Sequence, residues 1–190
     1  MILLLSAVVA GIVSGIYFNF HIPSNLTTIL LMFLVFSVGV DIGSEEKILS
    51  KLKASMKNIL FQSILTILGS LTFGSLAIFF TGLNLKESLG ASAGFGWYSL
   101  SGVMITNLYS PVLGAISFTA NVIREVLAII LIPIVAKWSP LGAVSIGGAT
   151  SMDSMLGVIS KSTDKETTLI AFGQGVILSI SVPILLTIIF

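Results

Sequence analysis

The sequence predicts an all-α polytopic membrane protein with about seven hydrophobic segments, two of them discontinuous near Gly94-Gly102 and Gly147-Asp153. Three observations carry that reading. Hydrophobic residues make up 55% of the 190 and charged residues only 9%, where a soluble domain has about a quarter charged. Mean hydropathy is +1.11. Apolar runs of the length a bilayer requires, about 20 residues, recur along the whole chain.

The runs are 1–18, 26–42, 58–80, 88–108, 112–136, 141–160 and 168–190. Each is expected to be helical, because lipid offers backbone groups no other local partner. The first lacks the basic flank of a signal peptide and reads as a retained span. Short loops join the segments, so the chain is one transmembrane transporter domain, 1–190. Lys47, Lys51, Lys53 and Lys57 fall in the loop 44–57, and Lys161 and Lys165 in 161–167. Seven crossings put both loops on one side, which the positive-inside rule makes cytoplasmic. The opposite loops hold only His21, Lys86 and Lys137. A re-entrant 88–108 would flip everything after it and move Lys161 and Lys165 outside. Pro133 and Pro183 lie within apolar runs and predict kinks or local breaks.

Composition also excludes. The chain has no Cys, so disulfides and thiolate chemistry are absent, and one His cannot build a His-rich metal site. No metal or cofactor is expected. A net charge of +1 without a basic patch leaves nothing for nucleic acid.

Most charges sit in loops as solvated groups, but Asp41, Arg124, Glu125 and Asp153 lie in or at the ends of apolar runs. Intramembrane ionisable residues are functional by default, and an ionised acid at the centre of a span costs about 2.5–3.5 kcal/mol. Asn121 precedes Glu125 by one turn and shares its face. Arg124 points about 100° away and need not pair with Glu125; Asp153 or Asp41 are its expected partners. The alternative is a structural ion pair locking helices together. Asp41 ends its run near the cytoplasmic face, as a cap or a gate.

Gly147-Gly148-Ala149-Thr150-Ser151-Met152-Asp153 is poor material for a continuous lipid-facing helix and good material for a broken one. Broken helices free N–H groups for a carboxylate and carbonyls for a cation. Gly94-Phe95-Gly96-Trp97-Tyr98-Ser99-Leu100-Ser101-Gly102 reads the same way. Trp97 and Tyr98 either line a pocket or belong to an interfacial belt. Tight packing of small residues is the alternative for both stretches. Two interrupted segments around a segment with a charged pair point to a transporter site near the midplane.

These two motifs, with Asn121-Val122-Ile123-Arg124-Glu125 between them, resemble the lysine exporter (LysO-type) family, and the run Gly173-Gln174-Gly175-Val176-Ile177-Leu178-Ser179 with Val182-Pro183-Ile184 resembles that family's last span. The resemblance implies export of L-lysine and its toxic analogue thialysine across the bacterial or archaeal inner membrane by antiport, with protons, or else Na⁺, as coupling ion. On that reading Glu125 and Asp153 bind an ammonium. Arg124, or the N–H groups after Gly147-Gly148, hold the carboxylate. Asn121, Trp97, Tyr98, Ser99, Ser101, Thr150 and Ser151 complete the site. The chain resembles the C-terminal portion of longer members, which implies a homodimer or a second small membrane subunit. A non-catalytic half-subunit is the alternative. An intramembrane protease is remote, since Ser101 has no histidine within the apolar runs to serve as base.

Overall fold

The computed structural model describes residues 48–190 continuously and scattered positions between Ala10 and Gly43. The runs 1–18 and 26–42 lie largely outside the described residues, as does Asp41.

Helix α1, Ile48–Ser75, starts well before the expected boundary at residue 58. Lys51, Lys53 and Lys57 therefore sit on a helix and not in a loop. Leu, Lys, Ala and Met are strong helix formers, and nothing before Gly69 interrupts them. A short helix α2, Ile78–Thr81, prolongs it to Gly82, whose φ of 70° turns the chain. Helix α3, Leu85–Ser92, opens on a capping box in which Asn84 and Glu87 exchange backbone hydrogen bonds of 2.9 and 2.8 Å. Residues 93–97 break the helix, and α4 runs from Tyr98–Leu108. Helix α5, Pro111–Val135, starts on a Ser110 cap with Pro111 in its first turn. Helix α6, Pro140–Gly147, repeats that start with Ser139 and Pro140. A 3₁₀ turn, Gly148–Met152, leads to α7, Leu156–Ser162. Helix α8, Lys165–Ile189, is capped by Asp164. Both α5 and α8 continue through their internal prolines, Pro133 and Pro183.

The segment 88–108 does not cross the bundle as one rod. The Tyr109 hydroxyl, just beyond α4, donates to Glu87 Oε1 in the first turn of α3 at 3.0 Å. Lys86 lies over the Tyr109 and Phe190 rings, and those rings meet at 4.9 Å. So α3 and α4 form a helical hairpin whose start and finish share one end of the bundle with the end of α8. The segment 141–160 is the counterpart from the other end. Ala128, Ile132 and Ala136 of late α5 cluster with Ala143 and Val144 of α6, Val158 and Ile159 of α7, and Ala171 of early α8. Hydropathy cannot separate a crossing from a hairpin of the same composition, which is why both segments read as spans.

Among the described residues three helical stretches are long and apolar enough to cross a membrane: Lys53–Thr81, Pro111–Val135 and Lys165–Ile189. Among the described residues the protein is all-helical. A hairpin followed by a 25-residue helix occurs twice, as α3-α4-α5 and α6-α7-α8, in opposite directions. Such inverted units are a recurrent transporter architecture. Helices α5 and α8 each touch both hairpins and hold them in place.

Candidate functional site

The two hairpins meet tip to tip. The Ala149 N–H donates to Phe95 O at 2.9 Å. The approach needs glycine at 148, where φ is 62° and an added Cβ would strike Phe95 O and the Arg124 guanidinium. Phe95 itself takes a φ of 47°, a left-handed conformation rare outside glycine, and is fully buried. Its fixed geometry rests on Asn121. The Asn121 Oδ1 accepts from Gly96 N–H at 2.7 Å, and its Nδ2 donates to Ser117 O at 2.9 Å and Ala91 O at 3.3 Å. Asn121 thus satisfies backbone groups freed by the break in the first hairpin.

Next to the crossing, the structure brings the two acids together. Ser154 Oγ donates to Glu125 Oε1 at 2.5 Å, and Ser154 N–H donates to Asp153 Oδ1 at 2.5 Å. One serine therefore links the acid of α5 to the acid of the second hairpin tip. Tyr98, at the start of α4, is within electrostatic reach of both carboxylates and stacks edge-on against Phe118 at 5.4 Å.

Arg124 points the other way, as the helical step requires. Its Nη1 donates to Ser70 Oγ and its Nη2 to Ser145 O, each at 3.2 Å. The expected pairing with Asp153 is not formed; Asp153 is held by Ser154 instead, and Asp41 lies outside the described residues. Ser145 O belongs to the last turn of α6, the negative end of that helix, which suits a cation.

The other named residues divide. Ser101 is buried against Ser117 and Asn121 at 3.3 and 3.5 Å, with no base among its partners. Thr150 and Ser151 donate to Gly147 O and Gly148 O, both at 2.7 Å, so their hydroxyls close the second tip. Ser151 also donates to Ala171 O at 2.8 Å. Trp97 packs on the apolar cluster around Phe95, and Ser99 is exposed on α4.

Sequence reasoning missed Ser154 and a polar file on α1. Gln62, Thr66 and Ser70, spaced by four, share one face. Gln62 Nε2 donates to Leu141 O and Ser145 Oγ at 2.7 and 2.6 Å. Thr66 shares a hydrogen bond with Ser145 Oγ and donates to Gln174 Oε1, while Gln174 Nε2 donates to Val144 O at 3.1 Å. The spacing of four within an apolar run was the available signal.

With this geometry in view, comparisons with known proteins place the chain. The family described as lysine exporter LysO matches residues 5–190. A Haemophilus influenzae (strain Rd) protein that carries a provisional lysine-exporter name is 36% identical over 185 residues, 96% of this chain and 94% of that protein. The lysine exporter LysO of Escherichia coli (strain K12) is 34% identical over 175 residues, 91% of this chain and 57% of that protein. No solved structure matches the chain.

Proposed function

The chain belongs to the lysine exporter LysO family, and from that premise we propose that it is a secondary active transporter that carries L-lysine, and thialysine, out of the cytoplasm by proton-coupled antiport. The observation that carries the site assignment is the Glu125–Ser154–Asp153 bridge beside the crossing of the hairpin tips.

The two hairpins act as re-entrant loops inserted from opposite faces of the membrane. That topology agrees with the distribution of lysines. Lys53, Lys57, Lys137, Lys161 and Lys165 gather at the end where α1 begins, α5 ends and α8 begins, while Lys86 lies at the other. The lysine-rich end is cytoplasmic by the positive-inside rule. Because two segments double back, the flip caused by the first is cancelled by the second, and Lys161 and Lys165 stay inside.

Antiport follows from the acids' depth. An ionised carboxylate there costs about 2.5–3.5 kcal/mol unless it is partnered. Glu125 and Asp153 are therefore stable when they hold a substrate ammonium or a proton, and unstable when they hold neither. Exchange of one cation for the other is then the low-energy cycle. Tyr98 and Trp97 flank the aliphatic stem, and Arg124 or the N–H groups after Gly147-Gly148 receive the carboxylate. A protease reading finds no support, since the relatives are named as exporters.

The test is efflux from bacterial cells loaded with labelled lysine, with variants matched for membrane level. Wild type is expected to raise efflux, and Glu125→Gln and Asp153→Asn to return it to background. Full efflux by both variants would remove the acids from the mechanism. Lysine release by the purified chain alone separates this reading from that of a half-subunit needing a partner membrane protein.

A further inference from the structure

We infer that a cavity beside α5, lined by Arg124 and not by the acids, is an oxyanion seat that takes the α-carboxylate of the exported amino acid, with Arg124 at its base. The inference rests on the lysine-export reading above and settles which group meets the carboxylate.

The cavity measures about 560 Å³, within the usual range for a small-molecule site. It lies between α1, α3 and α5 and runs from the Phe80–Leu83 end of the bundle down to Arg124. That is the end opposite to the cluster of lysines. Three polar groups matter in its lining. Within the described residues Arg124 has two of its five N–H donors occupied, by neutral oxygens of Ser70 and Ser145. Among the described residues no carboxylate meets it. Ser70 Oγ, already an acceptor for Arg124, keeps its own hydrogen to donate. Ser88 is 1% exposed, and its Oγ is buried without any hydrogen-bond partner among the described residues. A native interior rarely leaves such a group unmet without a reason.

A fixed cation, a spare hydroxyl donor and an orphaned hydroxyl around one space describe a site for an anion. Apart from Thr81, Ser92 and Asn121 the remaining lining is apolar, with Phe73, Ala77 and Ile116 among it. The competing seat is already closed. The Gly148 N–H donates to Val144 O and the Ala149 N–H to Phe95 O, so the first amides after Gly147 have partners. Arg124 and Glu125 are neighbours about 100° apart on α5. One helix thus presents a cation and an acid on adjacent faces, and a substrate with both charges can be read at both ends.

The test is equilibrium binding of labelled lysine to the purified full chain in nanodiscs. The competitors are unlabelled lysine, lysine methyl ester and 1,5-diaminopentane, the last two lacking a free carboxylate. Wild type is expected to prefer lysine over both by about tenfold or more, the range for a charge-assisted contact. Arg124→Gln should weaken lysine by a similar factor, leave diaminopentane unchanged and so erase the preference, with Arg124→Lys in between. Ser88→Leu fills the cavity without touching the partners of Arg124, and should erase the preference even if Arg124→Gln does not fold. Equal competition by all three ligands in wild type, or equal weakening of all three by a folded Arg124→Gln, would overturn the inference while leaving lysine transport standing. Absence of any lysine binding to wild type would overturn the substrate reading and this inference together.

Discussion

The Ala149 amide donates to the Phe95 carbonyl across 2.9 Å, joining the tips of two helical hairpins that enter the bundle from opposite ends. The contact exists because Gly148 has no side chain. Its φ of 62° is strained for any L-residue, and an added Cβ meets Phe95 O and Arg124. Gly148→Ala is expected to destabilise the protein by about 2–4 kcal/mol, from backbone strain plus overpacking. Gly82 has a similar φ of 70° but no described residue within 4 Å of an added Cβ, so Gly82→Ala should cost only about 1 kcal/mol. Thermal unfolding of both variants in detergent measures the difference. Equal shifts would mean that the tip contact contributes nothing beyond backbone strain.

Asn121 holds the first tip. Asn121→Ala leaves the Gly96 N–H without its partner, while the Ala91 carbonyl keeps Ser117 Oγ. Each buried group left unmet costs about 1–3 kcal/mol. The variant should unfold earlier and show faster hydrogen exchange over residues 93–97. Thr119→Ala on the same helix, whose exposed hydroxyl only bonds its own backbone, should stay within about 0.5 kcal/mol of wild type. Matching exchange rates in the two variants would remove Asn121 as the support of the break.

How much of this was legible beforehand differs by element. The starts of the last helices were legible to within three residues, at 112, 141 and 168 against Pro111, Pro140 and Lys165, but their caps Ser110, Ser139 and Asp164 were not singled out. The divergence of Arg124 from Glu125 followed from the helical step alone. The hairpins were not legible, because Gly and Ser at 94–102 and 147–153 announce an interruption but not the direction of the chain after it. Direction is set by tertiary contacts such as Tyr109 with Glu87. The partners of the buried charges were also hidden. Ser70 and Ser154 are neutral hydroxyls in apolar surroundings and look like any other serine until the fold places them.

Ser154 is the bridge between the acids. Ser154→Ala removes the hydroxyl donor to Glu125, and with it about 1 kcal/mol of preorganisation, which is roughly five- to tenfold in lysine affinity. Ser99→Ala, on the exposed face of α4, should leave affinity unchanged. Binding isotherms of the two purified variants decide it. An unaltered Ser154→Ala would show that the acids are placed independently.

The α1 polar file ties that helix to α6 and α8. Gln174→Leu breaks the links to Thr66 and Val144. Interhelical hydrogen bonds in membrane proteins average about 0.6 kcal/mol and reach about 1.7, so a loss in that range is expected in a steric-trap or thermal assay. A loss above about 4 kcal/mol would mean that Gln174 also organises the hairpin tip.

Under the proposed function, lysine moves outward in exchange for protons through Glu125. The most direct measurement uses the purified chain, alone, in liposomes loaded with labelled lysine, with the outside made acid relative to the lumen. Gradient-driven release by wild type, absent in Glu125→Gln at equal incorporation, is the expected result. Release that ignores the gradient, or that persists unchanged in Glu125→Gln, would contradict it.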